Sequence, residues 1–267
     1  MRLDYGTITS PYPICLSIGT IRKPTLGEIA DQNSLGFGGF GLYETFIAMT
    51  PELYYTEIDK ELGKKMWEPL SEAERDSVNM LDVICQVESL QKLYTDMLQF
   101  FFVEMVVFQS GVFVILKNGT KPNGSMSNED IIGVITRDSF KDVMNILKQI
   151  CGMQPDEEED ASQMKFKNKM AQKLFERMKQ AKKLEKKTKK HDPNLSLPNI
   201  ISSVCARHPS INYTNVYQLT VYQLIDTFER LRNDAFYEID KTRVSVWGDE
   251  KKTFRSDAWY KNEYDKK

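Results

Sequence analysis

The sequence predicts an α+β protein that is mostly helical, with a small antiparallel sheet in an N-terminal domain and an all-helical C-terminal region. Several segments place apolar residues at helical spacing behind helix-capping sequences. A stretch rich in Phe and Val, 100–116, is followed by a Gly- and Asn-rich turn and a second apolar run, a pattern typical of paired strands. The composition then changes sharply after residue 152. These three observations together define the predicted fold class.

The first elements are predicted from turn and capping residues. Residues 12–24 indicate a short strand or hairpin that ends at Pro24. Three helix starts share a hydroxyl cap and a favourable first turn: Thr25 with Glu28, Thr50 with Pro51, and Ser71 with Glu74. After the third start, apolar residues recur at helical spacing as far as Leu98. We therefore expect one long helix there.

The remainder of the N-terminal half alternates between strand and helix patterns. Residues 100–116 are interrupted by Glu104 and Gln109, so they are read as buried strands and not as a membrane helix. Residues 118–130 form a polar connection, and 131–136 indicate a returning strand. The next segment predicts a helix that Gly152 ends.

Composition divides the chain into three parts. Residues 1–152 are predicted to form an α+β domain, 153–164 an acidic linker, and 165–267 a helical C-terminal region. After a first basic helix, two further helices are expected at about 197–208 and 215–232.

Residues 165–190 contain twelve Lys or Arg and two Glu, a local charge of +10. One side of this predicted helix carries the apolar residues Phe166, Met170, Leu174 and Met178. Three interpretations stay open: a solvated lysine face, docking on an acidic protein or on the chain's own acidic linker, and contact with nucleic acid or a membrane surface. Steep salt dependence of binding would indicate phosphate contacts.

The C-terminal segment places four aromatic residues among charges: Trp247, Phe254, Trp259 and Tyr260. Such residues usually dock into a groove, on the same chain or on another copy. Together with the four apolar residues of the basic helix, they are the candidate partner-binding residues.

The sequence does not indicate an enzyme, and no catalytic, cofactor-binding or metal-binding residue is predicted. Cys205 and His208 have no second Cys or His cluster beside them to complete a zinc site, so we expect a packed helix that ends at His208. The segment GFGGFG at 36–41 has dinucleotide-motif spacing but no strand before it, and a flexible connection between two helices is expected.

Composition also bears on the cellular setting. The chain has a net charge of −2 and four widely spaced cysteines, which favour reduced thiols in a cytoplasmic protein. The N-terminal residues lack the apolar core of a signal peptide, and no contact with a membrane is expected. The two helices around His208 resemble a helix-turn-helix, but the second carries mixed charges that disfavour DNA.

Several segments resemble tail-morphogenesis proteins of phages and prophages of Gram-positive bacteria. They are PYPICLSIGTIRKPTLGEI, VITRDSFKDVMNIL, IISSVCARHPSIN with VYQLTVYQLIDTFERL, and the closing FRSDAWYKN. The resemblance implies a tail assembly chaperone, which coats the tape measure protein, keeps it soluble and recruits tail tube subunits. It also implies a compact N-terminal domain with a helical extension, the longer form of which arises in many phages by frameshifting.

Under this resemblance the partners are the tape measure and tail tube proteins, with self-association open, and the location is the cytoplasm of the bacterial host. Two alternatives come from other classes. A structural component of the tail or neck would reside in the virion. A regulator would bind nucleic acid through the basic helix and the two helices that follow it.

Overall fold

Helices form most of the protein, and two small antiparallel sheets lie in its N-terminal half, which confirms the predicted α+β class. The computed structural model describes residues 1–31, 33, 35–119, 128–155, 192–250, 252–260 and 264. The helices are α1 (Tyr5–Thr9), α2 (Leu26–Ala30), α3 (Gly36–Ile47), α4 (Pro51–Leu53), α5 (Lys60–Met66), α6 (Glu72–Ser77), α7 (Met80–Gln86), α8 (Glu88–Phe101), α9 (Arg137–Ile150), α10 (Leu197–Arg207) and α11 (Val221–Trp247). A π-helical turn, Tyr54–Ile58, follows α4.

The two sheets confirm the strand predictions. Strands β1 (Ile14–Leu16) and β2 (Gly19–Ile21) form the N-terminal hairpin, and β3 (Met105–Gln109), β4 (Val112–Leu116) and β5 (Ile131–Ile135) form a sheet in that order. The sheets approach each other closely at Gly133, where an added Cβ would lie 2.5 Å from the Cα of Ile18. Only glycine leaves room for this contact.

A single hydrophobic core joins the N-terminal elements to the C-terminal helices. Its centre contains fully buried aromatic rings from α8 and β4, among them Tyr94, Phe101 and Phe113. Val204 of α10 and Leu224 of α11 are buried in the same core. The backbone adds a link, because the amide of Leu26 donates to the carbonyl oxygen of Leu219 at 2.8 Å. The proposed division into domains at 152 and 165 stays a prediction.

Most predicted helix boundaries are confirmed. Capping boxes form at Thr25 with Glu28 and at Ser71 with Glu74, and Thr50 caps α4 with proline in its first turn. Helix α9 spans the predicted segment and is followed by Gly152 at a φ of 74°. Helix α10 ends at Arg207 with His208 as its C-cap, as expected.

Three predictions are wrong. The long helix expected after Ser71 is broken into α6, α7 and α8, because Asn79 starts a new capping box with Asp82 and Val87 adopts an extended conformation. The segment GFGGFG is no flexible connection, since it forms the first turns of α3 and places Phe40 in the core. The helix expected at about 215–232 is also wrong at both ends, because residues 216–218 form a separate 3-10 turn and α11 starts at Val221 and continues to Trp247.

Candidate partner-binding surface

Helix α11 starts inside the body of the protein. The side chain of Thr220 accepts a hydrogen bond from the amide of Gln223 at 3.3 Å, and Gln223 Oε1 accepts one from the amide of Thr220 at 3.0 Å. This reciprocal cap satisfies two backbone donors that a helix start leaves free. Val221 and Leu224 then point into the core and are almost completely buried. The first turns of α11 are therefore fixed by packing.

Polar contacts fix the same half of the helix to α1. The Tyr5 hydroxyl lies 3.0 and 3.1 Å from the two carboxylate oxygens of Asp226, and Arg230 Nε donates to Asp226 Oδ2 at 2.9 Å. Gln223 Nε2 donates to the carbonyl oxygen of Thr9 at 2.8 Å. Burial raises the pKa of Tyr5, so its hydroxyl keeps the proton that it donates. Asp226 and Arg230 thus form their hydrogen bonds with each other and with Tyr5 of the same molecule.

The second half of α11 is different, because four of its large apolar side chains are mostly exposed. The exposed fractions are 62% for Phe236, 64% for Ile239, 65% for Val246 and 76% for Trp247. Single exposed apolar residues are ordinary on protein surfaces, but a row of them on one helix indicates an interface. We call these four residues the exposed row.

The chain after α11 folds back against another side of the helix. Gly248, at a φ of 74°, ends α11, and the Asp249 carboxylate accepts hydrogen bonds from the amides of Thr253 and Phe254, each at 2.9 Å. These hydrogen bonds lower the pKa of Asp249. The Phe254 ring lies 5.7 Å from that of Tyr237. We call the described residues 249–250 and 252–260 the strap.

Beyond the strap, Tyr264 contacts the base of α11 and the first residues of the chain. Its ring centre lies 5.8 Å from that of Tyr5 and 5.9 Å from that of Tyr222. Its hydroxyl lies 2.6 Å from the carbonyl oxygen of Leu3 and 2.8 Å from Gln149 Oε1. The chain therefore runs out along α11 and returns to the body.

The structure separates the predicted partner-binding residues. Phe254, in the strap, is half-buried against α11, whereas Trp247, Trp259 and Tyr260 are exposed, and the rings of the last two lie 5.0 Å apart. Phe166, Met170, Leu174 and Met178 lie outside the described residues. A binding role for these eight residues stays a prediction.

Sequence reasoning missed three members of the exposed row. Phe236, Ile239 and Val246 follow the point near residue 232 where the helix was expected to end. The signal was present, because Ala235, Ile239, Thr242 and Val246 continue the spacing of Val221, Ile225 and Phe228 in alternating steps of four and three.

His208 stabilises the turn between α10 and α11. Its Nδ1 accepts hydrogen bonds from the amides of Ile211 and Ser210, at 3.0 and 3.2 Å. Cys205 is half-buried, and burial raises the pKa of its thiol. Within the described part of the chain, no three His, Cys, Asp or Glu side chains lie close enough to hold a metal ion. The Cys205 and His208 pair is thus part of a helix end and its following turn.

A comparison with protein families addresses the same region. Residues 186–264 match the family model described as YomV second domain. The chain carries a phage-type domain. This domain contains α10, α11 and the strap, and the whole exposed row lies within it.

Two further comparisons give no result, since no curated protein and no solved structure matches the chain significantly. None of the helices in the described ranges combines the length and the apolar character needed to span a bilayer.

Proposed function

We propose that this phage protein is a non-enzymatic tail assembly chaperone that binds the tape measure protein and recruits tail tube subunits in the cytoplasm of the bacterial host. The observation that carries the proposal is the exposed row Phe236, Ile239, Val246 and Trp247, which lies within the phage-type domain. The resemblance of several segments to tail-morphogenesis proteins supports the same assignment.

The chemistry of the partner fits this surface. A tape measure protein is long, mostly helical and prone to aggregate, so a chaperone must cover its apolar helix faces until assembly. An exposed helix with an apolar row covers such a face by helix-to-helix packing, which buries apolar area on both sides. Binding of this kind needs a matching surface and no reacting group.

Contacts with the rest of the protein order helix α11 before a partner binds. Tyr5, Asp226 and Arg230 fix the base of α11, and the strap packs Phe254 on Tyr237 farther along. Because the helix is already ordered, little conformational entropy is lost on this side of the complex. His208 is assigned a structural role, since its Nδ1 is occupied by backbone amides.

Co-expression with the tape measure protein from the same genome tests the proposal. We expect the wild-type chain to keep that protein in the soluble fraction. The double variant Ile239→Asp, Trp247→Glu should lose most of this effect, because each change places a charge in the exposed row. The matched control is Tyr12→Asp, at a residue that is 75% exposed and distant in sequence from α11. If co-expression of the wild-type chain does not increase the soluble amount of the tape measure protein, the proposal is contradicted.

Purified virions separate the proposal from its first alternative. A chaperone should be absent from mature particles, whereas a structural component of the tail or neck should be detected in them by immunoblotting. The regulator alternative predicts DNA binding that weakens steeply between low and moderate salt.

A further inference from the structure

A shallow groove runs along the exposed half of α11 and ends at the last turn of α10. Its floor consists of Ala235, Ile239 and Thr242, and Trp247 closes its far end. The groove encloses about 650 Å³. The strap does not cover it, because Phe254 packs on Tyr237 at a different side of the helix. Among the described residues, none of the strap lies in the groove lining.

The spacing of the floor residues, which Val246 continues along α11, indicates what kind of segment fits. Ala235, Ile239, Thr242 and Val246 alternate in steps of four and three, the spacing of the seam of a coiled coil. The distance from Ala235 to Trp247 is about 18 Å at 1.5 Å per residue, or roughly three helical turns. A partner helix of that length would pack along the seam with its own apolar residues.

The charges at the rim indicate the chemistry of the partner. Arg207 and Arg243 line the groove together with one carboxylate, Glu238. Arg243 and Glu238 already have neighbours on α11, since Arg243 lies 3.2 Å from Asp240 and Glu238 lies 3.2 Å from Lys241. Both pairs are exposed, and such pairs contribute little to stability, so a partner can replace them. Two guanidinium groups against one carboxylate favour acidic groups opposite them.

The same charges disfavour a second copy of this chain as the occupant. Two copies would bring the same excess of arginine, at Arg207 and Arg243, to both sides of the interface. An acidic helix instead offers carboxylates to the arginines and an apolar seam to Ile239.

We propose that this groove binds an acidic amphipathic α-helix of the protein partner, with carboxylates that face Arg207 and Arg243. The inference rests on the proposed function and specifies which helices of a tape measure protein the surface accepts. A preference for an acidic helix is the opposite of what the net charge of the chain alone would give, because a charge of −2 attracts basic peptides without specificity.

Two synthetic helical peptides of equal length test the inference. Both carry the same apolar heptads, with Ile and Leu at the seam, and the flanking positions are all Glu in one peptide and all Lys in the other. Like charges keep each peptide monomeric. Fluorescence anisotropy of the labelled peptides, titrated with the full-length protein, should show that the Glu peptide binds at least about tenfold more tightly.

Variants locate the binding. The double variant Arg207→Glu, Arg243→Glu should reverse the preference in favour of the Lys peptide, and Ile239→Asp should weaken both peptides. The matched control Lys64→Glu, Lys65→Glu makes the same change of charge at two exposed residues of α5, outside the groove, and should leave the preference unchanged.

Equal binding of the two peptides, a preference for the Lys peptide, or binding that Ile239→Asp leaves intact would overturn the inference. So would a dimer in sedimentation velocity that Ile239→Asp disperses, because a second copy would then cover the groove. The proposed function fails separately. If the Arg207→Glu, Arg243→Glu variant still keeps the tape measure protein soluble, the chaperone role stands and only the acidic-helix inference is lost.

Discussion

The two halves of α11 are made of similar residues but lie in opposite environments. Val221 and Leu224 are almost completely buried, whereas Ile239 and Val246, on the continuation of the same row, are about two thirds exposed. The difference comes from what packs against the helix, because the core and α1 hold the first half, whereas Ile239 on the second half lines a groove that no strap residue enters. Helical periodicity thus identifies an apolar face without telling what covers it.

The largest difference between the halves should appear when a large apolar side chain is truncated in each. Leu224→Ala removes a fully buried side chain and should lower the free energy of unfolding by about 2–5 kcal/mol. Ile239→Ala should change it by less than about 0.5 kcal/mol, because Ile239 is already in water. Urea unfolding with an unchanged m-value measures both. A large loss in the second variant would mean that the exposed row is covered within the molecule.

Two glycines with the same backbone angle sharpen the comparison. Gly152 and Gly248 both have a φ of 74°, but an added Cβ at Gly152 would lie 2.3 Å from the Cδ1 of Ile225, and one at Gly248 would meet nothing within 4 Å. Gly152→Ala should cost about 2–4 kcal/mol from backbone strain and overpacking together. Gly248→Ala should cost about 1 kcal/mol from strain alone. Equal losses would contradict the contact between Gly152, which follows the C-cap of α9, and Ile225 in the first half of α11.

The body also contains a carboxyl group whose pKa is shifted by burial, that of Glu44. Burial raises the pKa of Glu44 on α3 from its ordinary value of 4.5 to about 7. The folded chain therefore holds a proton that the unfolded chain has released, and stability falls as the pH rises from about 4.5 to 7.

Glu44→Gln removes this dependence. We expect the variant to be more stable than wild type by roughly 1–3 kcal/mol at pH 8 and about equal to it at pH 4. Denaturant unfolding across this pH range gives the difference. A difference that does not vary with pH would show that Glu44 is solvated in the folded state.

The smallest effect is expected at the turn that leads into the buried half. His208→Ala removes the acceptor for the amides of Ser210 and Ile211 and should cost about 1 kcal/mol. His208→Asn is the control, since its side chain retains an oxygen acceptor. Thermal unfolding of the two variants compares them, and equal melting temperatures of His208→Ala and wild type would exclude a stabilising role.

Local signals predicted the fold well wherever the chemistry is local. Capping boxes at Thr25 and Ser71 involve residues three apart, and both start helices in the structure. The end of α11 was predicted too early, because polar residues such as Asp234 and Glu238 separate the residues that continue the helical spacing as far as Val246. Tertiary context also decides GFGGFG, since burial of Phe40 offsets the low helix propensity of its glycines.

The candidate surface was only partly predictable. Trp247 was selected from its place in a polar segment, and it is the most exposed member of the row. Phe254 was selected on the same grounds and packs on Tyr237 instead. Exposure depends on how the chain after Gly248 turns, and hydrogen bonds to Asp249 set that turn. Such long-range geometry leaves no periodic trace in the sequence.

The strap has a kinetic consequence. A helix of this length in isolation would fray at its end, but here the turn at Asp249 and the packing of Phe254 on Tyr237 hold the last turns of α11 in place. A partner that collides with this surface meets it already shaped, so the encounter rate should depend on how quickly the partner itself becomes helical. Weakening the strap would then slow capture without removing a single contact from the bound state.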